Sequence, residues 1–350
     1  MKLYLEITGF AVIFLISIFS TSAITHIDRQ ISGPHSQILP ALSITAIPAQ
    51  AQRQVAITFD DLPSVPTYDL KELKSLTTKL IETLKRNKVP VIGFVNEGKL
   101  HRRAGDSSLP HEVDERSAVL KLWVDAGFEL GNHTYSHLDM FDSSAEKFEQ
   151  DLIAGEQVTK RLLAARGMKL RYFRHPYLNT GASLETKTAF DKILADRNYI
   201  VAPVTVDNQD YVFAAVYADA LKNGDRPLMK RVGEAYVPYM EAYFEFYERQ
   251  SSTLLGYEIK QILLVHANML NADYFDGMIA MMKKRGYKLI SLEDALSDKA
   301  YKMEDHFTGR AGISWLQRWA LTQKHKTTIE EFKLEPKLPE FVKQAYDARK

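Results

Sequence analysis

From residue 54 onward, short runs rich in β-forming residues alternate with stretches of helical periodicity, and this alternation limits the fold more than any other feature. Strands joined by crossover helices pair in parallel, so the pattern predicts an α/β fold on a parallel sheet. The chain has 350 residues, and barrels of this kind often run to about 250 as one unit. We therefore expect one large domain with appendages. The seven predicted strands are 54–61, 89–96, 128–134, 172–177, 200–207, 261–268 and 287–292.

Helices are predicted between these strands, beginning with the regularly spaced leucines from Leu70 to Leu84. The connection 212–258 is too long for a structureless loop and carries helical periodicity, so a helical insertion is expected. Its recurring aromatic residues favour an apolar face packed on the barrel over a platform for stacking sugars. A short helix with Trp315 and Trp319 is expected in a charged C-terminal extension, 299–350. The other predicted helices are 115–125, 145–166, 184–196 and 272–285.

The N-terminus is typical of an export signal. An apolar stretch at 10–19 follows Lys2 and precedes the small residues Thr21, Ser22 and Ala23. Residues 1–23 are predicted to act as a signal peptide or to persist as an uncleaved membrane anchor, which would place the protein in the periplasm, outside the cell or on the membrane. Residues 24–53 are interpreted as a linker and 54–298 as the barrel.

Composition excludes several classes of partner and chemistry. The 45 Lys and Arg residues balance 44 Asp and Glu residues, for a net charge of +1, so no nucleic-acid partner is expected. The chain contains no cysteine. Disulfides and thiolate nucleophiles are thus excluded, and any metal would depend on histidine and carboxylate ligands.

Two motifs with metal-binding residue types follow the first and third predicted strands. Asp60 and Asp61 close the first strand; neighbouring side chains diverge, so one could bind a cation while the other acts as a base. An Asp pair also fits a helix cap or a solvated turn. His133 and His137 follow the third strand, where a helical turn would place both imidazoles on one face. Together with Asp61 they would form a three-ligand zinc site with an open position for water.

Three further polar clusters end later strands, at the face where barrel enzymes hold their active sites. Taken singly, each has a structural explanation: an ion pair, a helix cap or a buried core histidine. Their shared position at one end of the barrel favours an active site instead. The clusters are Arg174-His175-Pro176-Tyr177, Asp207-Asn208-Gln209-Asp210-Tyr211 and Leu264-Val265-His266.

In this order, the five clusters resemble the motifs of the polysaccharide deacetylases of carbohydrate esterase family four, over about residues 54–296. The resemblance implies a distorted seven-stranded (β/α) barrel, one divalent metal (zinc foremost) and an N-acetylated glycan of chitooligosaccharide or peptidoglycan type as substrate. It assigns the metal to Asp61, His133 and His137. The sequence departs from the family pattern at Leu62 and Leu178, where glycine is usual, and at Tyr211, where tryptophan is usual.

The resemblance also implies roles for the other motif residues. Asp60 would be the general base, kept ionised by Arg174, and His266 the general acid, kept charged by Asp210. The backbone N–H of Tyr177 would stabilise the oxyanion. The substrate-binding residues would be Leu264, beside the acetyl methyl group, Tyr211 and Pro176. Two alternatives stay open: a metal-dependent hydrolase of a non-sugar amide or an O-acetyl ester, and a non-catalytic glycan-binding protein.

Overall fold

The computed structural model describes residues 52–65, 69–101, 110–310 and 312–349. The predicted signal or anchor, 1–23, and the linker up to residue 51 lie outside the described residues. Among the helices that the structure does describe, none is both long and apolar enough to cross a membrane.

The strands form one parallel sheet that curls into a distorted barrel. They pair in the order β5-β4-β3-β2-β1-β6, and β7 pairs with the first residues of β1. Beyond β5 the chain returns to the sheet at Val206, which bridges Leu263 of β6, so the ring of strands closes. The predicted distorted seven-stranded (β/α) barrel is confirmed. The strands are β1 Gln54–Leu62, β2 Val91–Val95, β3 Glu129–Asn132, β4 Tyr172–Phe173, β5 Ile200–Val201, β6 Gln261–His266 and β7 Lys288–Ile290.

Helices cover the outside of the sheet. Each predicted helix is present, except that two helices are found at 145–166, where a single one was expected; α9, α11 and α12 were not predicted. The break lies at Gly155, whose position leaves no room for a side chain: a Cβ there would lie 2.6 Å from the backbone nitrogen of Tyr135. The helices are α1 Leu70–Arg86, α2 Pro110–Asp125, α3 Ala145–Ala154, α4 Gln157–Ala164, α5 Leu184–Asp196, α6 Asp210–Lys222, α7 Arg226–Leu255, α8 Met269–Lys284, α9 Leu292–Leu296, α10 Trp315–Thr322, α11 Lys326–Glu331 and α12 Glu340–Asp347.

The long connection after β5 folds as α6 and α7, which confirms that 212–258 is helical. Its recurring aromatic side chains are all buried, so they pack on the barrel as predicted and offer no exposed face for stacking sugars. The C-terminal extension adds α10 to α12, and Trp319 on α10 is only 1% exposed. Both segments belong to the same hydrophobic core as β1 and β6. The aromatic residues are Tyr236, Tyr239, Tyr243, Phe244 and Tyr247.

Candidate active site

A cavity of about 720 Å³ opens at the carboxyl ends of the strands. Residues of all five sequence motifs line it, together with side chains from the C-terminal extension. Three predicted site residues, Arg174, Pro176 and Asp210, are buried and are not among the lining residues. The predicted site residues that line it are Asp60, Asp61, His133, His137, Tyr177, Tyr211, Leu264 and His266.

Asp61, His133 and His137 meet at one edge of this cavity, with their ligand atoms within 4.8 Å of one another. Oδ1 of Asp61 lies 3.7 Å from Nε2 of His133 and 3.4 Å from Nε2 of His137. This oxygen is buried and accepts no hydrogen bond from any residue that the structure describes. The unsatisfied carboxylate oxygen and the two imidazole nitrogens that it faces would together supply three ligands to a divalent metal ion. A zinc site with three protein ligands keeps a fourth position open for water or substrate.

The predicted helical turn between His133 and His137 is wrong. Residues 133–139 form an irregular loop in which Thr134 and His137 adopt left-handed backbone conformations, with φ of 62° and 58°. Asn132 Oδ1 accepts a hydrogen bond from the Thr134 N–H at 2.7 Å, and Thr134 Oγ1 accepts one from the Leu138 N–H at 3.0 Å. This tight turn brings the two imidazole ring centroids to 4.9 Å.

The surroundings of His133 favour metal binding through Nε2. Nδ1 of His133 lies 2.8 Å from the carbonyl oxygen of Arg174, to which it can donate, and this tautomer leaves the Nε2 lone pair facing Asp61. Burial lowers the pKa of both His133 and His137 to about 4. Both imidazoles are therefore neutral near neutral pH, which is the metal-binding form.

Asp60, unlike its neighbour Asp61, is hydrogen-bonded to Arg174. The buried guanidinium of Arg174 donates from Nη1 to Oδ1 and Oδ2 of Asp60 at 3.1 and 3.2 Å, and from Nη2 to Thr58 Oγ1 at 3.1 Å. Burial raises the pKa of Asp60, although Arg174 opposes this. The carboxylate is thus oriented by an arginine and has an increased affinity for a proton, as a general base requires.

Asp61 is paired with a residue that the sequence interpretation missed. Lys99, which follows β2, places Nζ 3.0 Å from Oδ2 of Asp61. Burial alone would raise the pKa of Asp61, but Lys99 and the nearby imidazoles lower it overall. The position of Lys99 after a barrel strand is a signal that could have identified it.

His266, on the strand next to that of Asp60, forms a close pair with Asp210. His266 Nδ1 lies 2.7 Å from Asp210 Oδ1, and the backbone N–H of His266 donates to Asp210 Oδ2 at 2.9 Å. Asn271 also donates to Oδ2, at 3.1 Å. Burial would lower the pKa of His266, but Asp210 raises it to about 9. The imidazole is therefore protonated at neutral pH and available as a general acid.

Residues 48–192 match the polysaccharide deacetylase family model. This part of the chain is therefore similar to the polysaccharide deacetylases. The match agrees with the resemblance that the sequence motifs indicated and covers the first three of the five.

Individual relatives of the chain are distant. A peptidoglycan-N-acetylglucosamine deacetylase of Bacillus cereus is 25% identical over 170 residues, covering 49% of this chain and 50% of the relative. The aligned part thus spans about half the length of that relative. An uncharacterised 30.6 kDa protein of Geobacillus stearothermophilus is 25% identical over 240 residues, covering 67% of this chain and 71% of the relative. A family 4 carbohydrate esterase from Streptomyces lividans, solved with acetate, is 18% identical with a TM-score of 0.43, over 71% of this chain and 97% of that chain.

Two exposed aromatic residues border the cavity. Tyr177 is 58% exposed and Tyr211 is 46% exposed, and the Tyr211 ring centroid lies 6.4 Å from that of His266. Leu264 also lines the cavity. Pro176, by contrast, is buried and begins the short 3₁₀ helix Pro176–Leu178. Its fixed φ suits that first position.

Residues of the C-terminal extension complete the cavity wall, and the sequence interpretation did not include them. Arg310, Gly312, Gln317 and Glu335 all line it. Asp207, from the fourth motif, faces the same space, and burial raises its pKa to about 7. The extension residues do not follow a predicted strand. The sequence pattern therefore gave no reason to assign them to the site.

Proposed function

We propose that the protein is a metal-dependent hydrolase that removes acetyl groups from N-acetylated sugars of a chitooligosaccharide- or peptidoglycan-type glycan. One observation carries this proposal: three groups converge on a single cavity at the end of the barrel. They are the metal-ligand set, a carboxylate oriented by an arginine and an imidazole charged by a carboxylate. Metal-assisted amide hydrolysis uses these three functions together: a metal that activates water, a general base and a general acid.

A divalent ion held by Asp61, His133 and His137, zinc foremost, would polarise the acetyl carbonyl and make water more acidic. Asp60 accepts the proton of the water that attacks the carbonyl carbon, and Arg174 keeps this carboxylate in place. The backbone N–H of Tyr177 stabilises the oxyanion.

Protonation of the departing nitrogen completes the reaction. An amine is a poor leaving group unless it is protonated, and His266, charged by Asp210, donates that proton. The C–N bond breaks, giving acetate and a free amino sugar. Leu264 packs beside the acetyl methyl group, while Tyr177 and Tyr211 border the sugar.

Metal content and acetate release test this assignment. The purified protein should bind about one zinc per chain, and His133→Ala and His137→Ala should lose it, because each variant leaves two ligands. His306→Ala is the matched control, since this exposed histidine lies outside the ligand set, and it should keep the metal. Unchanged metal content in both ligand variants would contradict the site.

Asp60→Asn separates catalysis from metal binding. It should keep the metal and lose about 10²–10⁴-fold in acetate release from N-acetylated chitooligosaccharides, because only the proton acceptor is removed. Release from aryl acetates but not from N-acetyl sugars would favour the O-acetyl esterase alternative. A parent protein that binds metal and glycan but releases no acetate would favour a non-catalytic glycan-binding protein.

We also propose that the protein acts outside the cytoplasm. The expected substrate class includes a cell-wall glycan, and residues 1–23 have the pattern of an export signal. Cell fractionation should show more of the full chain than of a version lacking 1–23 outside the cytoplasm. Equal shares would contradict export.

A further inference from the structure

The segment after the third motif holds an unusual backbone conformation. Tyr177 has φ of 54° and Leu178 has φ of 53°. Left-handed backbone is disfavoured for residues with a Cβ, and two in succession are rarer still. Surrounding structure must therefore hold this segment in place.

Arg318, on α10 of the C-terminal extension, makes the direct contact. Its Nη2 donates to the carbonyl oxygen of Leu178 at 3.0 Å and to Oγ1 of Thr180 at 3.1 Å. The guanidinium is 0% exposed, its Nη1 donates to Asp305 at 3.3 Å, and its Cζ lies 4.1 Å from the ring centroid of Trp315. The ring centroid of Phe307 lies 5.0 Å from the same Cζ, and a guanidinium held by two aromatic rings and several acceptors is a rigid donor, since little rotamer freedom is left to lose.

Gly312 allows the extension backbone to lie against the same segment. A Cβ at this position would come within 2.0 Å of the carbonyl oxygen of Tyr177 and 2.4 Å of Cβ of Leu178. Next along the segment, Asn179 Nδ2 donates to the carbonyl oxygen of Arg310 at 2.5 Å. Four consecutive residues, 177–180, thus each contact the extension.

The extension is itself fixed to the barrel. The backbone N–H of Trp315 donates to the carbonyl oxygen of Val204 at 2.8 Å, and Ser314 Oγ donates to that of Thr205 at 2.7 Å. These acceptors lie just before Val206, where the sheet closes on β6. Arg318 and Gly312 therefore connect a rigid part of the barrel to the rim of the cavity.

We propose that Arg318 and Gly312 are positioning residues that hold the Tyr177–Leu178 segment in its left-handed conformation and so place the Tyr177 backbone N–H. The catalytic part of this inference rests on the proposed function. Without the guanidinium, the buried Leu178 carbonyl loses its donor and the segment is free to relax toward ordinary backbone angles. The peptide planes on either side of Tyr177 would then turn away from the oxyanion position.

Arg318→Met tests this, because it keeps an unbranched apolar side chain against Trp315 and removes both hydrogen bonds that Nη2 donates to the segment. Gly312→Ala is the second variant; it leaves Arg318 intact and displaces the Tyr177 carbonyl. For each, kcat on an N-acetylated chitooligosaccharide should fall about ten- to a thousandfold, the range for a misplaced or lost oxyanion donor. Zinc content should stay the same and KM should change by less than about threefold, since neither variant removes a ligand or a group that binds the sugar.

Hydrogen–deuterium exchange gives a readout that does not depend on catalysis. The backbone amides of Leu178 and Asn179 donate to the carbonyls of His175 and Pro176 at 3.1 and 2.9 Å, so a peptide covering 174–183 should exchange faster in both variants. Asp305→Asn is the matched control. It weakens the charge pair on the other side of Arg318 but keeps the donors to the segment, so kcat and exchange at 174–183 should stay close to the parent values.

Parent-like kcat and parent-like exchange in both variants would overturn the proposal. An equal loss of kcat in Asp305→Asn would also overturn it, because the effect would then reflect general destabilisation. If the parent releases no acetate, the proposed function fails, and exchange alone decides whether the extension holds the segment. If Arg318→Met does not fold, Gly312→Ala carries the same test.

Discussion

At the residue scale, the pairing of His266 with Asp210 predicts the alkaline limit of activity. Asp210 raises the pKa of His266 to about 9, so the acid form persists across neutral pH and is lost as pH rises through that value. Asp210→Asn removes the charge that stabilises the imidazolium, so the pKa should fall to about 6.5 or below. The alkaline limb of the kcat/KM profile should move to lower pH by about two units or more.

A pH profile of kcat/KM on an N-acetylated chitooligosaccharide measures this shift. Asp207→Asn is a suitable comparison, since Asp207 lines the same cavity without a hydrogen bond to the imidazole. Its alkaline limb should stay near that of the parent. An unchanged limb in Asp210→Asn would mean that His266 does not supply the proton.

Much of the site could be predicted from the sequence, because its motifs directly follow barrel strands. The carboxyl ends of these strands meet at one face of the barrel. The pairs Asp60–Arg174 and Asp210–His266 were expected and are present. The turn that joins His133 to His137 could not be predicted, because its left-handed residues are not glycines and carry no mark in the sequence. Sequence reasoning also omitted Lys99, the cation beside Asp61, since lysine side chains are mostly exposed to solvent.

At the element scale, the strands were placed correctly and several were predicted too long. β4 and β5 have two residues each, where the sequence predicted 172–177 and 200–207. Pro176 and Pro203 lack the N–H that a ladder needs, so the pairing stops before each of them. The interruption is useful at β4, because it lets the chain turn at Tyr177 into the cavity rim.

The helical insertion should be as important to stability as the barrel itself. Phe244 on α7 is 0% exposed, and its ring centroid lies 5.1 Å from that of Tyr287, the residue just before β7. Phe244→Ala should lower the free energy of unfolding by about 3–5 kcal/mol, because it leaves a cavity where α7 meets the barrel. Leu221→Ala on α6 should cost only about 0.5 kcal/mol, since this side chain is 39% exposed.

Urea unfolding of the two variants, followed by circular dichroism, measures the difference. A cost below about 1 kcal/mol for Phe244→Ala would indicate that α7 packs as a separate layer and contributes little to the barrel core.

At the scale of the whole molecule, the hydrophobic core continues past the predicted end of the barrel. Trp315, Leu316 and Trp319 from the extension and Val342 from α12 belong to the same core cluster as β1 and β6. The sequence indicated a short helix here but not its docking, because contacts with residues such as Val204 join parts of the chain more than a hundred positions apart. The boundary at 298 stays a prediction about chain organisation.

Removal of 299–350 should therefore unfold the barrel. Loss of a single buried tryptophan costs about 3–5 kcal/mol, so losing Trp315, Trp319 and the packing around them approaches the ~5–15 kcal/mol that stabilises a typical protein. A chain ending at Leu338 loses only α12, whose one fully buried side chain is Val342, so it should fold with reduced stability. Thermal unfolding and binding of a fluorescent hydrophobic dye compare the two truncations with the parent. A cooperative transition near the parent temperature in the chain ending at 298 would contradict this prediction. It would show that the barrel folds without the extension, which would then contribute to the cavity wall but not to folding.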